Sequence, residues 1–261
     1  MNRNFKMVLQ YEGTRYNGWQ KQGNTSDTIQ GKLEQILERM AGEPVEVQGS
    51  GRTDAGVHAA GQTAHFRISE EFFRSRGLFR QAEAYLKSYL NRYLPDDIGV
   101  LSVEEVPERF HSRLSAERKT YCYQIETGEK QDVFQRRLSY HLGRLLDTEV
   151  MRLAAERLCG THDFRSFCGN RKMKKSTVRT LYSVDICQKP GSSLVTLSFT
   201  GNGFLQNMVR ILTGTLIEIG LGERDWRTVD DILRAKDRQA AGFTAPAEGL
   251  CLVQVIYEEM K

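Results

Sequence analysis

No Cys-x-x-Cys pair occurs in this chain, and its five cysteines (Cys122, Cys159, Cys168, Cys187 and Cys251) are scattered and odd in number. That pattern argues against a disulfide framework and a structural zinc site. The five histidines are equally dispersed; His58 and His65 stand seven apart with no third ligand in view, so no metal site is expected. No run of 18 apolar residues is present, and the opening Met1–Lys6 lacks the apolar stretch of a signal peptide. Neither a membrane span nor export is therefore expected, and a reducing cytoplasm is the expected home. The glycine-rich templates for nucleotides also fail. A dinucleotide fingerprint begun at Gly49 and Gly51 needs a third glycine where Asp54 stands, and no Gly-Lys-Ser/Thr ending closes a phosphate-cradling loop. One further absence is local. From Phe164 to Val184 there is no acidic residue, while Arg165, Arg171, Lys172, Lys174, Lys175 and Arg179 are all cationic.

Six uncompensated cations in one short segment point to a phosphate-binding surface rather than a merely solvated loop. The net charge of +4 is compatible with nucleic acid but does not argue for it. The 261 residues suffice for one broad domain or two smaller ones, and 39% hydrophobic with 27% charged residues is ordinary for a globular protein.

Strand-like and helix-like segments alternate along the chain. Phe5, Met7, Leu9 and Tyr11 alternate with more polar neighbours, which predicts a half-buried strand. Thr25-Ser26-Asp27 can cap a helix carrying Ile29, Leu33, Ile36, Leu37 and Met40, with Gly42 as its stop. Strands are expected at 45–48, 63–67, 100–106 and 119–125. Helices are expected at 78–93, ending before Pro95, and at 202–221. The stretches Leu9–Tyr16 and Leu197–Phe204 share Leu-x-aromatic-x-Gly-x-x-aromatic before a helix, which suits a duplicated α/β unit.

The most informative segment is Gly51-Arg52-Thr53-Asp54-Ala55-Gly56-Val57-His58-Ala59. An aspartate among small residues, beside an arginine, suits a nucleophile on a loop that a large substrate can approach. Continued to Phe66, this string resembles the signature of the tRNA pseudouridine synthase A family. Tyr11-Glu12-Gly13-Thr14 and Tyr16–Gln22 resemble the family's opening, and Thr28-Ile29-Gln30 its first helix. Phe110-His111-Ser112-Arg113 with Tyr121-Cys122-Tyr123 resembles its central motif. Asn207-Met208-Val209-Arg210 and Ala247–Val253 resemble its C-terminal motifs. The blocks run in family order over nearly the whole chain.

The resemblance implies an α/β (α+β type) fold: two similar lobes with adjoining antiparallel sheets, flanking helices and a central positively charged cleft. We place the boundary near Pro107, giving lobes at 1–106 and 107–261. It implies a cytoplasmic enzyme that isomerises uridine to pseudouridine at positions 38, 39 and 40 of the tRNA anticodon stem-loop. It implies a homodimer, with no metal or redox cofactor. Asp54 is the implied nucleophile, attacking either ribose C1′ or uracil C6. Arg210 is its implied ion-pair partner, keeping the carboxylate charged where desolvation opposes it. Tyr121 is implied to stack on the target uracil, with its hydroxyl available for proton transfer. On spacing alone, Tyr121 and Tyr123 share one strand face and both read as sheet core.

Flipping the uridine out of its stack costs a few kcal/mol. Arg52 is implied to fill the vacated space or hold the flipped phosphate. Phe110, His111, Ser112, Arg113 and Leu114 resemble one tRNA-contacting segment, and Arg171, Lys172, Met173, Lys174 and Lys175 occupy the position of another. Leu250 and Leu252 are implied to wall the pocket. Two other readings compete: a non-catalytic tRNA-binding protein, and a synthase for a different uridine.

Overall fold

The computed structural model describes residues 1–23, 25–170 and 172–258. The chain forms two compact α/β units. The first comprises Met1–Glu117 together with the stretch that begins at Leu252, and the second is Arg118–Cys251.

In the first unit β1 (Asn2–Tyr11) lies between β4 (Ile98–Val106) and β3 (His58–Ser69), antiparallel to both. β2 (Val47–Gly49) pairs antiparallel with β3, and β10 (Leu250–Tyr257) lies along the far side of β3. The alternation read from the sequence is the real one: Phe5, Met7, Leu9 and Tyr11 are buried. The apolar face of α1 (Ile29–Ala41), formed by Ile29, Leu33, Ile36, Leu37 and Met40, is buried as well. Burying such a face supplies most of a helix's stability. The cap is Thr28 rather than residues 25–27; its hydroxyl accepts from the Gly31 amide at 3.2 Å, and Gly42 ends the helix at φ 79°. α3 (Ala82–Tyr93) stops before Pro95, with Leu94 already extended, as the residue before a proline must be. It starts at Ala82, later than expected, because a turn occupies 79–81, with Gln81 N donating to Leu78 O at 2.9 Å; a short α2 (Glu70–Ser75) lies further upstream.

The two units divide at Glu117, beyond the boundary expected near Pro107, and residues 252 onward belong with the first unit. The cause is local bonding of residues 107–114. Asn4 Nδ2 donates to the carbonyls of Pro107 and Phe110, each at 3.1 Å, and the Phe110 ring lies 5.2 Å from that of Tyr257.

In the second unit β5 (Ala116–Glu126), β9 (Leu194–Gly201), β8 (Val178–Gln188) and β7 (Gly160–Asp163) are antiparallel neighbours in that order, and β6 (Tyr140–His141) joins β5 in parallel. α4 (Thr148–Leu158), α5 (Met208–Gly220) and α6 (Val229–Ala235) complete it. α5 begins six residues later than expected, and the stretch before it is irregular. The suspected repeat has a structural counterpart: β1 and β9 are both interior strands leading through glycine towards a helix. A Cβ on Gly13 would stand 2.0 Å from Val57 O, and one on Gly201 2.9 Å from Thr180 O.

Candidate functional site

The Asp54 loop joins β2 to β3 and is held from both sides. Val57 N donates to Asp54 O at 3.1 Å, closing a turn whose third residue, Gly56, has φ 79°. A positive φ at that position is what glycine supplies without steric cost. From one side comes the segment after β1. Trp19 N donates to Thr53 O at 3.0 Å, Gly56 N to Tyr16 O at 3.3 Å, and Gly13 N to His58 Nδ1 at 3.0 Å. The Gly13 backbone fits against Val57 only because it has no side chain. Below the loop, the hydroxyls of Tyr11 and Thr53 share a hydrogen bond of 2.8 Å. Gln62 accepts from Ser50 Oγ at 2.7 Å and donates to Gly51 O at 3.1 Å. Thr53 and Val57 are buried, Asp54 is half-buried and Arg52 is exposed. The stretch from Tyr11 to Trp19 is thus the clamp for the Asp54 loop.

The segment Phe110–Leu114 divides by exposure. Phe110 and Ser112 are buried, His111 is half-buried, and Arg113 and Leu114 are exposed. Only the last two, with the edge of His111, present side chains to a large ligand. Beside the segment lies a polar cavity of about 340 Å³ whose lining includes Glu46, Gln48, His65, Arg67 and His111. Burial, with the neighbouring His111 second, lowers the His65 pKa to about 4.

In the second unit Tyr121 is buried on β5, opposite Phe199, with its ring edge-on to Phe204 at 5.1 Å. Its strand mate Tyr123 is wholly buried, and its hydroxyl donates to Pro246 O at 2.8 Å. Burial, reinforced by Glu248, raises the Tyr123 pKa. Tyr123 is therefore a core residue with a satisfied hydroxyl.

Arg210 sits in the first turn of α5. Its Nε donates to Ala245 O at 2.7 Å, one guanidinium nitrogen donates to Asn207 Oδ1 at 3.3 Å, and its carbonyl accepts from Ala245 N at 3.1 Å. A cation at a helix N-terminus opposes the helix dipole, so these fixed acceptors matter. Asn207 takes φ 58°, where asparagine is among the few tolerated non-glycine residues.

The basic loop is rooted at the same helix end, with Gly169 N donating to Gln206 O at 2.8 Å. Phe164, Ser166, Phe167 and Cys168 bury its base, and Ser166 Oγ donates to Ile232 O at 2.6 Å. Lys172, Lys174 and Lys175 are exposed, Met173 is half-buried, and Arg171 lies outside the described residues. Leu250 and Leu252 are both buried.

The structure adds two neighbours of the candidate residues that the sequence does not single out, Phe204 beside Tyr121 and Trp19 beside Thr53. Phe204 ends the repeat-like stretch Leu197–Phe204, and that aromatic at a helix entry was the available signal. Trp19 falls inside the stretch Tyr16–Gln22, and its part shows only where its amide meets Thr53 O. Among the described residues no group of three or more His, Cys, Asp and Glu could hold a metal ion.

Comparison with known proteins gives a consistent answer. The profile of a family described as tRNA pseudouridine synthase matches residues 7–114 and 154–258. The chain is 43% identical over 252 residues to tRNA pseudouridine synthase A 2 of Bacillus cereus (strain ZK / E33L), covering 97% of this chain and 98% of that one. It is 46% identical over 249 residues to tRNA pseudouridine synthase A of Bacillus sp. (strain KSM-64), covering 95% and 97%. A chain of the solved Cbf5-Nop10-Gar1 complex superposes at a TM-score of 0.39 with 10% identity, over 97% of this chain and 50% of that one. A likeness so remote carries no argument.

Proposed function

The chain belongs to the tRNA pseudouridine synthase family, and from that premise we propose that it acts at uridines 38, 39 and 40 of the anticodon stem-loop, with Asp54 as nucleophile. That it is an enzyme isomerising uridine in tRNA follows from the family itself.

The reaction breaks the bond from ribose C1′ to uracil N1, turns the base, and forms the bond from C1′ to C5. The C5 proton leaves and N1 gains one, so atoms balance and nothing is oxidised. The protein must supply a nucleophile, a proton acceptor and a place from which water is excluded. Asp54 supplies the carboxylate, adding to C1′ or to C6; either route requires it ionised. Arg210 offsets the desolvation that would otherwise protonate it. Tyr121 stacks on the flipped uracil and offers its hydroxyl for proton transfer. Leu250 and Leu252 exclude water. Arg52 fills the gap left by the flipped base or holds its phosphate. Arg113 and the loop 171–175 contact phosphates, which fix register without reading sequence. The protein acts as a cytoplasmic homodimer; among the described residues no helix is long and apolar enough to cross a membrane.

The observation that supports this reading most strongly is the clamped Asp54 turn. The turn is fixed through its backbone by Trp19 and Tyr16 and from below by Tyr11, which suits a preorganised nucleophile. The deciding experiment treats unmodified tRNA transcripts with wild type and with Asp54→Ala, then maps pseudouridine chemically by reverse-transcription stops. Stops at 38–40 with wild type, absent with the variant while tRNA still binds, are expected. Stops elsewhere would discard the position, and persistence of stops in Asp54→Ala would discard the nucleophile.

A further inference from the structure

Ser112 carries the expectation of an RNA contact, yet it is wholly buried and its polar atoms are engaged inside the first unit. Its amide donates to His65 Nδ1 at 3.2 Å, its hydroxyl donates to Gln48 O at 2.6 Å, and its carbonyl accepts from the Tyr257 hydroxyl at 2.7 Å. Its hydroxyl oxygen also lies 3.0 Å from His65 Nδ1. An Nδ1 that accepts an amide proton carries none of its own, so this node requires neutral His65. The depressed His65 pKa is consistent with that state.

His65 stands opposite Gln48 in the pairing of β3 with β2, and Gln48 leads through Gly49 and Ser50 into the Asp54 loop. The neighbouring ring repeats the device. His111 Nδ1 accepts from the amides of Arg113 at 3.1 Å and Leu114 at 3.4 Å, and its ring centroid is 4.8 Å from that of His65. Two neighbouring imidazoles, each used as an acceptor, thus tie the backbone under two exposed side chains to the strand that enters the Asp54 loop.

We propose that His65 is a positioning residue for tRNA. Through Ser112, and in contact with His111, it fixes the backbone from which Arg113 reaches phosphate, so that the phosphate contact and Asp54 are held on one rigid piece of the first unit. The proposal rests on the reading of Arg113 as an RNA contact given above. The competing possibility is a core imidazole that merely fills space.

Phenylalanine keeps the ring and removes the acceptor, whereas asparagine offers an amide oxygen in place of Nδ1. The test measures KM, kcat and the salt dependence of tRNA binding for wild type, His65→Phe, His65→Asn, Arg113→Ala and the His65→Phe/Arg113→Ala double variant. His65→Phe is expected to raise KM about tenfold, the order of one hydrogen bond to a charged group. It should flatten the salt slope by about one phosphate contact and leave kcat within about threefold. Arg113→Ala should do the same, the double variant should add little, and His65→Asn should restore most of the loss. If His65→Phe changes only thermal stability, or adds fully to Arg113→Ala, the residue is filler and the proposal falls. Should His65→Phe not fold, His111→Phe carries the same expectation at a half-buried ring, and an unchanged salt slope there overturns it. Failure of the wider reading would look different: wild type itself would leave positions 38–40 unmodified.

Discussion

Replacing Gly13 with alanine tests whether the Asp54 loop is held by contact with the segment after β1. The new Cβ would stand 2.0 Å from Val57 O and 2.6 Å from Val57 C, whereas real Cβ contacts essentially never fall under 3.0 Å. About 1 Å must therefore be found, and both partners are backbone. Val57 is the residue whose amide closes the turn on Asp54, so the displacement passes directly to Asp54. Overpacking of this kind costs about 1–3 kcal/mol. The lost freedom of the unfolded chain returns about 0.4–1 kcal/mol. The net loss is thus about 1–2 kcal/mol, tolerable for a domain of ordinary stability. The kinetic penalty is larger, because a misplacement of about 1 Å costs on the order of a hundredfold. Gly13→Ala should therefore lower kcat about a hundredfold while tRNA affinity changes little, since the exposed cations are untouched. Tritium release from tRNA labelled at uracil C5 would follow the chemistry, and urea unfolding the stability. Gly23→Ala, where a Cβ meets nothing within 4 Å, is the matched control. Wild-type kcat in Gly13→Ala would refute the claim that this contact sets the loop.

Two other outcomes follow from charge. Changing Lys172, Lys174 and Lys175 together to glutamine should weaken tRNA binding, flatten its salt slope by up to about 3, and leave kcat at saturating tRNA unchanged; an unaltered slope would remove the loop from the interface. Folding stability should also depend on pH through His65. Burial and His111 hold its pKa at about 4, with Arg67 lowering it further and Glu46 opposing, against 6.5 for the free side chain. The unfolded state takes up the proton first, so the contribution is whole above pH 6.5 and is lost as pH falls towards 4. At 1.36 kcal/mol per unit this amounts to about 3 kcal/mol. Urea midpoints for wild type should fall more steeply over that window than those of His65→Asn, and parallel curves would contradict the assignment.

The turn at Asp54 was legible because its residues are contiguous: an acid, an arginine and the glycine that the turn requires all fall within a few residues. α1 was legible for a related reason, its buried face repeating at helical spacing and Gly42 ending it. Strand ends were read too short, since β3 runs from His58 to Ser69 and its terminal pairs depend on β1. Tyr121 and Tyr123 could not be told apart by spacing. Tyr123 is marked as core by a hydrogen bond to Pro246, 123 residues away in sequence. Ser112 failed for the same physical reason: a small polar residue beside an arginine looks like surface until its distant partners His65, Gln48 and Tyr257 are known. The late start of α5 reflects Asn207, whose left-handed backbone sets the helix entry and brings its side chain to Arg210.

The return of the chain to the first unit at Leu252 also bears on how the protein is made. Tyr257 completes the node at Ser112 from 145 residues further along the sequence, and β10 covers the side of β3 away from β1. During synthesis the Asp54 loop and its clamp emerge early, but the strand that covers β3 and seals Ser112 arrives after the whole second unit has left the ribosome. At roughly 5–20 residues per second, the first unit waits on the order of ten seconds with an open sheet edge. Unpaired edges invite pairing with other chains. The second unit, continuous in sequence, can close first, so the unit that carries Asp54 is the last to become whole.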